Sequence, residues 1–165
     1  MTYSRKFNIL LILVIVAIIA VSTVLVCTPG TQSRALAIPR PTPAIDKPPY
    51  SSYKGVAIGA TIDEARAKLG APKEKSDGQD AYEFSASESA QVNYDASQKV
   101  TVISVTYTGK LDNAPTPKAV FGVDVEAKPD GGIFKLEHYP KAGYWISYIK
   151  TGGDEPLIMI VMQKI

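Results

Sequence analysis

At 165 residues the chain has room for one domain of ordinary size plus extensions, and its formal charge of +2 is modest. The charge is uneven: from Tyr53 onward thirteen basic residues stand against fifteen acidic ones, a net of −2, so the basic excess belongs to the N-terminal arm and the body offers no basic cluster to track phosphates. Nucleic acid is excluded as an expected partner, a lone cysteine excludes an internal disulfide, and a lone histidine excludes a His-cluster metal site.

The arm opens with a basic stretch over residues 1–8, where Arg5 and Lys6 meet no acid, followed by an uncharged run over 9–26. Eighteen helical residues reach roughly 27 Å, close to the hydrocarbon thickness of a bilayer at about 30 Å. Positive charge before the run keeps the N-terminus cytoplasmic and sends the rest across the membrane. The expected localisation is therefore a single-pass membrane protein with its folded domain outside the cytoplasm. Three fates stay open for the segment. It can remain as a signal anchor; it can be cleaved after the small-x-small triplet ending at Ala37; or it can carry a lipid on Cys27, although Val26 departs from the small residue a lipobox wants there.

Residues 27–53 read as an extracytoplasmic linker. Five prolines between 38 and 53 remove backbone donors and favour an extended, semi-rigid spacer. From 54 to 165 the chain changes character. Thr61 and Glu64 have the spacing of a capping box, Ile62, Ala65 and Leu69 fall on one helical face, and Gly70 and Pro72 stop the helix. Strand-like runs follow at about 81–86, 90–95 and 99–108, with Tyr82, Phe84, Val92 and Tyr94 alternating onto one face.

The second half reads in the same order. Thr116 and Pro117 start a short helix that Gly122 ends, and strands follow near 132–139, 143–150 and 156–163. An offset of 52 carries Gly70 to Gly122, Tyr82 to Phe134, Phe84 to Leu136, Val92 to Tyr144 and Tyr94 to Ile146. The expected fold class is therefore α+β, with two tandem repeats, each a helix plus a three-stranded antiparallel meander, over about 55–109 and 113–165, preceded by a transmembrane or signal helix.

The string Ile58-Gly59-Ala60-Thr61, then Glu64, then Lys68-Leu69-Gly70-Ala71-Pro72, followed by Tyr82-x-Phe84, Val92-x-Tyr94-Asp95 and Lys99-Val100, resembles the BamE-like (SmpA/OmlA) module over about residues 55–108. Doubled, the unit resembles the β-lactamase-inhibitor-protein fold, in which a sheet surface is offered to a protein partner. The resemblance implies a periplasmic cell-envelope setting, and it makes Gly59, Thr61, Glu64, Leu69, Gly70 and Pro72 fold-defining positions. The second half lacks the LG-x-P signature, and the lipobox of BamE-type lipoproteins is imperfect here.

No residue set marks an enzyme. Asp63 and Glu64 suit the positive end of a helix, and Asp130, Asp154 and Glu155 sit in Gly-containing turns. His138 and Tyr139 near a strand end are the only candidates for a small extracytoplasmic enzyme or ligand-binding site. Lys150-Thr151-Gly152-Gly153 lacks phosphate-loop spacing and reads as a hairpin turn. The more informative residues are large and apolar on an outer face. With Phe134, Leu136, Tyr144 and Ile146 turned to the core, alternation places Ile133, Lys135, Glu137, Trp145 and Ile149 outward as a partner surface. The expected function is a membrane-tethered binding or envelope-assembly module with no cofactor, no metal and no catalysis, whose partner is another envelope protein. The alternatives are the small enzyme or ligand binder and an inert envelope spacer.

Overall fold

A computed structural model describes residues 47–165. Residues 9–26, Cys27 and the cleavage triplet lie outside the described residues. Among the described residues no helix is long and apolar enough to cross a membrane.

The described residues form seven strands and two short helices in the order α1 (Ile62–Leu69), β1 (Glu74–Ser76), β2 (Gln79–Ser85), β3 (Glu88–Tyr94), β4 (Val100–Tyr107), α2 (Pro117–Phe121), β5 (Ile133–Tyr139), β6 (Tyr144–Lys150) and β7 (Ile158–Lys164). All pairings are antiparallel, and the sheet order is β1-β2-β3-β4-β7-β6-β5. The chain lays down β1 to β4 as a meander and then crosses to the far edge. From there it returns through β5 and β6 until β7 closes against β4.

This overturns the expected pair of helix-plus-three-strand repeats. Strand β7 pairs with β4 over six residues from Val102↔Gln163 to Tyr107↔Ile158, which joins everything into one continuous β-rich sheet. An additional strand, β1, extends the first half, and the helices contain only 8 and 5 residues. The offset of 52 also fails on β5, where Phe134 and Leu136 face away from the core that Tyr82 helps to fill.

The elements form where local chemistry favours them. In α1 the Thr61 hydroxyl accepts from the Glu64 amide at 3.3 Å, and the Glu64 carboxylate accepts from the Thr61 amide at 2.8 Å. Gly70 ends the helix at φ 86°, with its amide donating to Arg66 O at 2.9 Å. In α2 the Thr116 hydroxyl caps the Ala119 amide, Pro117 supplies a preset φ, and Gly122 turns left-handed after five residues. Ala65 and Leu69 of α1, and Val120 and Phe121 of α2, are buried. Together with Tyr53 and Val56 from the segment before α1, they belong to the same hydrophobic core as Val92, Ile103, Ile146, Tyr148 and Ile160 of the sheet. Tyr50 and Tyr53, assigned to the linker by their proline-rich setting, are thus part of the folded domain.

The turn at 151–157 depends on close approach. A Cβ at Gly152 would lie 2.3 Å from the Asp130 carbonyl oxygen. Gly152→Ala is expected to destabilise the domain by about 1 to 3 kcal/mol, as overpacking does. Urea unfolding measures this directly; an unchanged midpoint would show that the two turns do not meet.

Candidate functional site

Directly opposed residues of an antiparallel pair share a face, so the register assigns every strand side chain. Ile146 and Tyr148 are core residues at 0 % and 1 % exposure, and their partners across β5 are Glu137 and Lys135. Those two charged residues therefore lie on the face that carries the helices. The Lys135 ammonium sits 5.3 Å from the centre of the Phe121 ring and 3.1 Å from the Glu137 carboxylate, consistent with that side. Ile133, opposite Lys150, shares it.

The remaining residues of β5 point to the face without helices. Phe134 opposes Ile149, Leu136 opposes Ser147, and His138 opposes Trp145. Phe134 is 56 % exposed and Leu136 41 % exposed. On β7, Met159 and Val161 continue the same face opposite Ile149 and Ser147. Ser147 is small enough that its larger neighbours leave it only 6 % exposed.

Of the expected partner surface, Trp145 and Ile149 are together on this open face, whereas Ile133, Lys135 and Glu137 are on the other side of the sheet. Phe134 and Leu136, expected in the core, take their place. The cause is the turn between β5 and β6: the Ala142 and Gly143 amides donate to Tyr139 O at 2.9 and 3.0 Å, a closure that sets Tyr139 opposite Tyr144. Parity along both strands follows from that pair.

The open face is divided. Strands β2, β3 and β4 present mainly polar residues, Gln79, Glu83, Gln91, Asn93, Ser104 and Thr106 with Ala81 and Val102 among them, while the large apolar side chains stand on β7, β6 and β5 around Ser147, with Gln163 and His138 at one end. Under the polar half lies a buried ionic network that the sequence reading did not single out. Asp80 is fully buried and accepts from Arg66 Nε at 2.8 Å, Arg66 Nη2 at 2.9 Å and the Tyr94 hydroxyl at 3.0 Å. Burial pushes the Asp80 carboxyl upward, but the hydrogen bonds from Arg66 and Tyr94 and the Arg66 charge outweigh it and hold the group below the usual carboxylate value. The signal was available: Asp80 has the parity of Tyr82 on a core-facing strand, and Arg66 is the only arginine beyond residue 40. A fork-shaped cation suits two-point binding of one carboxylate.

A second anchor fixes the segment before α1. The Tyr53 hydroxyl donates to Glu88 at 2.8 Å, and Lys54 pairs with Glu88 at 3.2 Å while lying 4.6 Å over the Phe84 ring. Burial, then the Glu88 charge, push the nearby Tyr107 hydroxyl up to about 12. Gly59, Thr61, Glu64, Leu69, Gly70 and Pro72 all surround α1; Gly59 donates its amide to Val100 O at 2.8 Å, and Leu69 is buried.

The residues considered for catalysis are not gathered. His138 is exposed on the open face and Tyr139 is buried on the other. Two open clefts, of about 360 and 580 Å³, are lined around Leu69, Lys73 and Phe84 and around Ser51, Gly55 and Tyr144; neither includes His138. Among the described residues no three His, Cys, Asp or Glu side chains are grouped to hold a metal ion. Comparison with known proteins finds no match: no family model, no curated protein and no solved structure matches the chain.

Arg66→Ala would leave Asp80 as an uncompensated buried charge, at an expected cost of about 3 kcal/mol at neutral pH. The pH dependence has a definite sign. In the native protein the folded Asp80 value lies below the unfolded one of about 3.9, so its contribution is present above that value and is lost as pH falls through the folded value. In the variant an unpaired Asp80 resists ionisation, so the stability gap should be widest above about pH 5 and narrow below about pH 4. Denaturation at a series of pH values checks this, and a gap independent of pH would exclude Asp80 as the cause.

Proposed function

We propose that this domain is a protein-binding module of the cell envelope, held at a membrane by residues 9–26, which engages another envelope protein through the apolar half of its open sheet face. The reading rests on one observation above all: Phe134 and Leu136 are 56 % and 41 % exposed on the face that also carries Trp145 and Ile149, with Phe134 directly opposite Ile149. Single exposed apolar residues are ordinary on soluble domains, but a contiguous group containing tryptophan and phenylalanine has the composition of a binding surface. Mainly polar residues on β2 to β4 flank the patch.

The tether draws its support from the uncharged run over 9–26 and its flanking Arg5 and Lys6. The helix-start string from Gly59 to Pro72, similar to the BamE-like module, favours an envelope setting. Binding is favoured over catalysis by the placement of His138 and Tyr139 on opposite faces and by the role of Asp80 in a buried ion pair that holds α1 to the sheet.

The test places a photo-crosslinking side chain at position 149, in the apolar half, or at position 91, in the polar half, of the full chain in its native membrane. One recurring envelope protein should crosslink from 149 and not from 91, and Trp145→Ala should reduce the yield at least about tenfold while unfolding remains cooperative. Equal products from both positions would contradict the proposal, as would a Trp145→Ala variant that captures the partner undiminished.

A further inference from the structure

The two edges of the sheet are built differently. Strand β1 is three residues long, exposed and polar, which blunts it as a template for another strand. Strand β5 is seven residues long and, among the described residues, pairs in unbroken register with β6 alone, so that no other described strand lies along its outer side. It contains no proline and no bulge, and its open-face side chains are Phe134, Leu136 and His138.

We infer that β5 is a self-association edge: a second copy of this chain pairs antiparallel with it about a twofold axis through Leu136, making one continuous fourteen-stranded sheet. The sequence of the strand selects this partner. Because opposed residues must share a face, a twofold axis normal to the sheet can pass only through a residue, never between two. An axis at Lys135 opposes two lysines, and one at Glu137 opposes two glutamates; both are unfavourable. An axis at Leu136 sets Lys135 against the partner's Glu137 and Glu137 against the partner's Lys135, with leucine against leucine between them. It also engages all seven residues, since Ile133 then meets the partner's Tyr139 and Phe134 meets the partner's His138.

The charges are already arranged for this. Lys135 and Glu137 stand side by side along the edge at 3.1 Å, so the second copy completes a square of alternating sign. Charges on the helix-side face of an edge strand discourage unmatched strands from adding. Here the matching pattern is carried by the strand itself. The inference concerns the edge of the sheet and holds whether or not the open face binds another protein.

The test uses the full chain in detergent, followed by sedimentation in density-matched buffer. The native protein should dimerise; Lys135→Glu and Glu137→Lys should each weaken dimerisation at least about tenfold. Mixing the two single variants should restore it as a heterodimer, and so should the double variant Lys135→Glu/Glu137→Lys. Recovery on mixing also shows that the single variants are folded. In a Cys27→Ser background, Leu136→Cys should oxidise to a disulfide-linked dimer, because opposed Cα atoms in an antiparallel pair lie within bridging distance, whereas Gln91→Cys should not. A protein monomeric at all concentrations overturns the proposal. So does a dimer indifferent to these charge changes, which would place the contact on residues 9–26 or on the open face.

Discussion

The surface chemistry of this domain depends on the pairing of β5 with β6. Side chains alternate along a strand, so a shift of one residue would send Phe134 and Leu136 into the core and bring Lys135 and Glu137 out. The Ala142 and Gly143 amides, both donating to Tyr139 O, close the turn that prevents this, and Gly143 takes a left-handed φ of 78° to do so. The consequence is an inverted edge strand: charged residues line the helix side and apolar residues the open side. The inversion is tolerable because the Lys135 stem and ammonium cover the Phe121 ring at the rim of the core, an arrangement that long cationic side chains permit.

The two halves of the sheet solve the same packing problem by different means. Under β2 and β3 the helix α1 is held by a two-point ion pair between Arg66 and a fully buried Asp80, with the Tyr94 hydroxyl also donating to the carboxylate. Such a network specifies one position for the helix, since displacing it would leave a buried charge unpaired. Under β6 and β7, packing is aromatic and aliphatic: Phe121 meets Tyr148 edge to face at 6.5 Å, among Ile146, Ile160 and Met162. Each half carries a matching outer surface, polar over the ionic network and apolar over the aromatic core. On the open face the change from polar to apolar falls between β4 and β7 at two of the three pairs, Ser104 with Val161 and Thr106 with Met159, while Val102 meets Gln163 at the end of the strand.

Much of the secondary structure was legible in the sequence because it is locally encoded. The capping box of Thr61 and Glu64, the stops at Gly70 and Gly122, and the period-two runs lie where the elements form, with strand ends displaced by no more than two residues. Strand β1 was not legible, since Glu-Lys-Ser has no apolar alternation to betray it. The assembly into one sheet was not legible either, because β4 and β7 pair across more than fifty residues and no local signal records a partner that distant. The error on β5 has a plain origin. Phe134 and Leu136 are strongly apolar, and hydrophobicity alone assigns them inward; only the length of the 140–143 turn and the pairing with Ile146 and Tyr148 reverse that assignment. Asp80 and Arg66 were each visible, but their meeting across fourteen residues required knowing where α1 packs.

The central claim is that β5 presents Phe134 and Leu136 beside Trp145 and Ile149, and the most direct measurement is a set of nuclear Overhauser contacts from the β5 side chains in the folded protein. The account predicts contacts from the Phe134 ring to the Ile149 methyls, and from the Lys135 methylenes to the Phe121 ring. Contacts from Phe134 or Leu136 to Ile146, Tyr148 or Phe121 would place β5 one residue out of this register and remove the apolar surface altogether.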